Sequence, residues 1–384
     1  MNLCENITCS FPFVNGTDSK IIEDYTDMYF WFGGVIICII SGLGVILNSI
    51  IILVFSHNTL KSTFHMFLIV LAVFDLGFSL LSMMVSILEI NDINTQGTTY
   101  PDPKWDPSQL WIKIYPHFIH PFKYILISAS ECFTLVMSID RFIAIKFPFR
   151  YHSFWTNDSQ PEETHDVHDA QQIGSHQTRI KKSTIGVQID WRRVSLYSIG
   201  SFFVSLCYCV PLFFEYEVSV ENDKQVIQVA NWYGEMYGLG YYLISDSIFR
   251  FFIPMSILLY TNIGIYKIAK RQSDVMFASA FKRKSQMLML FGIVVVLMIT
   301  HLYRFCGNMY ITTIYFTQQA YVECCGRNLA NEISYVVLSI LFTINTTANF
   351  FIYLIASKKF RAAVTQVSFR CIQVARANRC RYSL

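Results

Sequence analysis

The run Ser138-Ile-Asp140-Arg141-Phe142-Ile-Ala-Ile-Lys146-Phe-Pro148-Phe-Arg150-Tyr151 sets an acid and an arginine side by side where a long apolar stretch runs out. An ionisable pair at the edge of an apolar segment is costly to keep in a bilayer and marks a functional position by default. Pro148 just beyond it ends the helix. The plainer alternative is a helix end whose charges reach out to the interface.

The surroundings bear on that choice. Apolar runs of about 20 residues or more, enough to cross a bilayer, fall at 30–56, 63–89, 112–146, 192–214, 240–270, 282–316 and 330–356, giving seven spans. Of the 384 residues 53% are hydrophobic and 15% charged, a balance poorly suited to a soluble chain. The expected fold is therefore an all-α membrane protein, a bundle of seven transmembrane helices. An N-terminal segment (1–29) precedes the transmembrane domain (30–356), a long loop occupies 151–191, and a tail (357–384) follows.

Cations set the orientation. Lys146, Arg150, Arg192, Arg193, Lys267, Lys270, Arg283, Lys284, Lys358 and Arg361 flank one set of loops, whereas Asp92, Asp102, Asp106, Glu215, Glu217, Glu221, Asp223 and Glu235 populate the other. The positive-inside rule then places the N-terminus outside. Asn6 and Asn15 head N-x-S/T glycosylation acceptors in that segment and agree with it, while the acceptor at Asn157 falls inside and is expected to stay bare. Residues 1–29 are polar and lack the apolar core of a signal peptide, so the first span is expected to serve as its own signal.

Several polar groups interrupt the spans. Asp75, Ser130, Asn345 and Asn349 stand in otherwise apolar segments. Unpaired, each would cost several kcal/mol, so they are expected to converge on one another, on water or on a cation. Nearer the opposite end, Glu89, His120, Lys123, Tyr124, Asp246, Arg250, His301 and Arg304 are candidates for a ligand pocket. Asp246 and Arg250, four apart on one helix, either pair with each other or meet a ligand. Glu131 lies deeper, placed to neutralise Lys123 or Arg250 or to carry a proton. Residues 357–370 alternate cationic and apolar side chains and read as a short interfacial eighth helix, with Cys371 a candidate palmitoylation site.

Taken together, Gly44-x-x-x-Asn48, Leu71-Ala72-Val73-Phe74-Asp75, Asp140-Arg141-Phe142, Pro254, Asn345-x-x-x-Asn349-Phe-Phe-Ile-Tyr353 and Lys358-Lys359-Phe360-Arg361 resemble the rhodopsin-like G-protein-coupled receptors over nearly the whole chain. Ile114-Tyr115-Pro116-His117, Pro211-Leu-Phe-Phe-Glu215 and the Asn345–Phe350 segment are similar to the FMRFamide-type neuropeptide receptors of invertebrates. The resemblance implies a plasma-membrane receptor for an amidated neuropeptide that activates a heterotrimeric G protein. In it Asp140, Arg141 and Tyr353 would form the G-protein switch, and Asp75, Ser130, Asn345 and Asn349 would hold a sodium ion. The alternative is a seven-helix receptor for a non-peptide or chemosensory ligand, or one with weakened coupling.

Departures accompany the likeness. The family's bridging cysteine at the start of span three is Pro116 here, and residues 215–242 contain no cysteine. The span-six proline is missing, since Thr300-His301-Leu302-Tyr303 stands at its place, and span seven has Asn349-Phe350 rather than Asn-Pro. An uninterrupted helix ladder is expected where those prolines would weaken it. Cys4 and Cys9 near the N-terminus and Cys324 and Cys325 between spans six and seven are candidate disulfide partners, with three pairings open. His165, Asp166, His168 and Asp169 read as part of a solvated loop rather than a metal site. Enzymatic motifs, an internal repeat and a selectivity filter are all absent from the sequence, and nothing in it points to nucleic acid.

Overall fold

The computed structural model describes residues 13–14, 27–56, 62–96, 114–155, 191–221, 224–229, 238–273, 277–325 and 327–367. Seven helices in it are long and apolar enough to cross a membrane: Phe30–Ser56, Thr63–Leu88, Tyr115–Lys146, Trp191–Phe214, Ile244–Ile268, Ser285–Tyr310 and Ile333–Ala356. They are spans one to seven below. The chain is a multi-pass membrane protein.

Its polarity is inside out. Ile199 and Ile355 are 69% and 76% exposed, and Leu53, Phe203, Ile299 and Phe351 also line the exterior. Asn48, Asp75, Ser79, Asn345 and Asn349 are buried. In water this arrangement would forfeit the hydrophobic driving force, whereas in hydrocarbon it is the stable one. Neighbouring spans pack in order around a closed ring, with span seven returning to span one, span four outside the ring against span three, and span three touching two, four, five and six.

Local chemistry fixes the helix ends. Span two starts behind Ser62, whose hydroxyl accepts from the His65 amide at 3.4 Å. Span three stops at Phe147, with φ −129° and ψ 61°, because the proline ring at 148 excludes the helical region for the residue before it. Pro148 then opens a short helix, Pro148–Trp155, at a first-turn position that needs no N–H. Beyond span seven, Ser357 caps a helical segment at 358–367 by accepting from the Phe360 amide at 3.2 Å.

Three stretches, Tyr29–Ile36, Tyr115–Ile119 and Gly238–Phe252, wind as wider π-helix. The last gives way to α-helix at Ile253, beside Pro254, whose ring supplies no N–H to continue the ladder. Span six has no proline, and its helix runs unbroken from Phe277 to Cys325. Cys324 and Cys325, expected in a loop, are therefore its last two residues, because neither proline nor glycine interrupts 308–325.

Two strand pairs join the helices. β1 (Phe13–Val14) pairs antiparallel with β4 (Arg327–Asn328), and β2 (Tyr216–Glu221) with β3 (Lys224–Val229) in a hairpin after span four. The first pair sets Phe13–Val14 against the residues that follow the span-six helix. Both pairs lie at the end of the bundle opposite Arg141, called the hairpin end here.

Candidate functional site

At the Arg141 end, span three presents Asp140 and Arg141 on its penultimate turn, with Arg141 Nη2 3.4 Å from Asp140 Oδ2. Asp140 is buried and engages more than its neighbour. Tyr151, carried back by the helix after Pro148, donates to both carboxylate oxygens at 3.0 and 3.1 Å. Tyr197 on span four donates at 3.2 Å. Arg193, also on span four, lies 3.9 Å away through Nε and donates to the Tyr151 hydroxyl. Burial and then the Asp140 charge push the Tyr151 phenol above its ordinary range, so it remains a proton donor at physiological pH.

Arg141 is held differently. Its guanidinium lies over Phe64 and Phe67, at 5.0 and 5.5 Å from the ring centroids. Its Nε and Nη2 make no hydrogen bond among the described residues. Beside it a cavity is lined by Phe64, Ala144, Ile145, Ile265, Gln286, Met287 and Leu290. Tyr353 is fully buried between Phe55 and Phe360, with ring centroids 5.6 and 5.8 Å away, and its hydroxyl has no hydrogen-bond partner among the described residues.

In the bundle centre Asp75 accepts from Ser130 Oγ at 2.7 Å and from Asn349 Nδ2 at 2.6 Å, joining spans two, three and seven. Asn345, buried one turn earlier, makes no hydrogen bond to Asp75. Asn48 belongs to the neighbouring contact, donating from span one to the Thr346 carbonyl at 3.2 Å.

Nearer the hairpin end the charged pocket candidates meet one another. Arg250 Nε lies 3.9 Å from Glu131 Oε2 and its Nη1 3.7 Å from Asp246 Oδ1, and it donates to Ser128. Arg304 Nη2 is 2.7 Å from Asp246 Oδ1, Asn308 donates to Asp246 Oδ2 at 3.0 Å, and His301 Nε2 is 3.2 Å from Glu131 Oε1. Two guanidiniums balance two carboxylates in a buried network across spans three, five and six, as burial demands. Glu131 thus faces Arg250 and His301.

Lys123 lies 5.9 Å from the Phe78 ring and lines a small cavity with Gly33, Ser86, Tyr335 and Ser339. His120 meets Glu215, and Tyr124 packs on His120. Glu89 belongs to the span-two helix, and its side chain lies outside the described residues, as do those of Cys324 and Cys325. Asn6, Asn15, Cys4, Cys9, Cys371 and the 165–169 stretch also lie outside them.

Sequence reasoning missed Tyr151, Tyr197 and Arg193 as partners of Asp140. Arg193 counted there only as a loop cation, and the signal available was Pro148, which turns the following helix back toward span three. No model of a known protein family matches the chain, and no curated protein matches it in sequence.

Proposed function

We propose that the chain is a rhodopsin-like G-protein-coupled receptor of the plasma membrane, with its N-terminus outside, a heterotrimeric G protein as partner and an amidated, FMRFamide-like neuropeptide as ligand. The observation that carries this reading is Arg141. A mostly buried guanidinium, ion-paired with Asp140 but with two nitrogens that make no hydrogen bond among the described residues, borders a cavity at the end of a seven-helix bundle. Such a group offers donors to the carbonyls of an incoming helix end. The tyrosines and Arg193 around Asp140 support a resting arrangement in which that offer is held back.

On this reading Tyr353 is the third member of the switch, and the Asp75, Ser130, Asn345 and Asn349 region takes a sodium ion. Segment 358–367 lies in the membrane interface, exposing Lys358, Lys359 and Arg361 while burying Phe360 and Ala363. Asn6 and Asn15 carry glycans, Cys371 a palmitoyl chain, and Cys4, Cys9, Cys324 and Cys325 tether the N-terminus. An arginine-bearing peptide would enter the charge network by exchange, its guanidinium competing with Arg304 for Asp246.

The test is calcium release from cells that express the full chain with a promiscuous G protein, exposed to amidated peptides, amines and small odorants. The expected result is a saturable response to one peptide series that Arg141→Ala abolishes at equal surface level. A response confined to amines or odorants would overturn the peptide assignment, and a response unaffected by Arg141→Ala would overturn the switch.

A further inference from the structure

The cations where spans three and four meet the Arg141 end divide into an inner and an outer set. Arg141 and Arg193 face the buried Asp140. Lys146, Arg150 and Arg192 are exposed, and among the described residues none of them pairs with a carboxylate. Packing gathers this outer set into one patch. Arg193 donates to the Tyr151 hydroxyl, so their sequence neighbours Arg192 and Arg150 stand on adjoining segments. The Tyr151 amide closes a turn onto the Phe147 carbonyl at 2.9 Å, which sets Arg150 within about a turn of Lys146. The Lys146 ammonium lies 5.1 Å from the centroids of both the Phe142 and the Phe147 rings.

Aromatic rings edge the same patch. Phe147, Phe149 and Trp191 are 43%, 89% and 59% exposed. Rings so uncovered are costly in water and stable at the boundary between acyl chains and headgroups. Span three ends at Lys146 and span four begins at Trp191, so the patch sits at that boundary. Asp190, which precedes Trp191 in sequence, lies outside the described residues.

We propose that Lys146, Arg150 and Arg192 form a headgroup site for an anionic phospholipid that carries several phosphates, with Phe147, Phe149 and Trp191 resting in the interface beside it. The guanidinium forks of Arg150 and Arg192 match phosphate oxygens two at a time, and the ammonium adds a point charge. A headgroup with one negative charge would leave most of the patch uncompensated. The rings select a lipid over a dissolved polyphosphate, which would leave them in water. Long cationic side chains at a span end reach the phosphate layer by extending along their stems. The site follows from the chain's place in a bilayer and does not depend on the receptor reading. The orientation proposed above sets it in the leaflet that carries the anionic lipids.

Native mass spectrometry of the full chain tests it, with release from micelles that contain equal amounts of phosphatidylcholine, phosphatidylserine and phosphatidylinositol bisphosphate. The bisphosphate lipid is expected to be retained in preference to the other two. Arg150→Gln and Arg192→Gln should each lower that retention about fivefold, the scale of one cation at a membrane surface. A charge-matched pair of changes beyond span seven, Lys358→Gln with Lys359→Gln, should leave it largely intact. Phosphatidylserine held as strongly as the bisphosphate lipid would overturn the site, as would equal losses from the two pairs of changes, since either result means diffuse attraction. Displacement of the lipid by an equal concentration of soluble inositol trisphosphate would overturn the choice of a lipid.

Discussion

Tyr151 and Tyr197 hydrogen-bond to Asp140 while Arg141 and Arg193 face it, so one carboxylate ties span three to span four and to the short helix after Pro148. Hydrogen bonds to a charged acceptor contribute about 1.5–3 kcal/mol each. If the chain is the receptor proposed above, removing the hydroxyl that links Asp140 to Arg193, with Tyr151→Phe, is expected to raise ligand-independent signalling several-fold at equal surface expression, measured as basal second messenger. Unchanged basal output would mean that this bridge does not hold the resting arrangement. Asp75→Ala strands the Ser130 hydroxyl and the Asn349 amide in an apolar interior, and should lower stability by about 1–3 kcal/mol, read as a drop in the unfolding midpoint in detergent. Asp75 was legible from sequence because a charge inside an apolar run has few reasons to be there. The partners of Asp140 were not, because Tyr151, Arg193 and Tyr197 look like ordinary loop and helix residues until packing brings two further segments to one oxygen pair.

Helices meet most closely where glycine removes a side chain. A Cβ on Gly264 would lie 2.4 Å from Phe142 Cε2, so the ring of the residue after Arg141 seats directly on span five. Gly264→Val should destabilise the bundle by about 1–3 kcal/mol through overpacking, and adding Phe142→Ala should recover part of the loss. Thermal unfolding of the single and double variants checks this, and additive losses would show that the two residues do not share a contact. At the scale of elements the seven spans could be read directly, since long apolar runs have one period and one purpose. The π-helical run Gly238–Phe252 could not, because a wider turn uses the same apolar residues and leaves no pattern of its own. The β2–β3 hairpin was equally hidden: its residues read as an acidic loop, and only the register Tyr216 to Val229 through Glu221 to Lys224 makes them strands.

Across the whole molecule the apolar exterior carries its own test. Ile199 projects from the middle of span four and is 69% exposed. A lysine there would cost about 2.5–3.5 kcal/mol on insertion, so Ile199→Lys should sharply reduce the inserted fraction in a glycosylation-reporter assay. Undiminished insertion would show that this face borders water. The span-six helix raises a different matter. Its 49 residues make a rod about 74 Å long at 1.5 Å per residue, more than twice the thickness of the hydrocarbon layer. With no proline hinge in it, such a rod behaves as a seesaw pivoting in the bilayer: a tilt of about 5° carries each tip about 3 Å, in opposite directions. Any push on the tip beside β4 therefore arrives at the Gln286 end at once and reversed in sense.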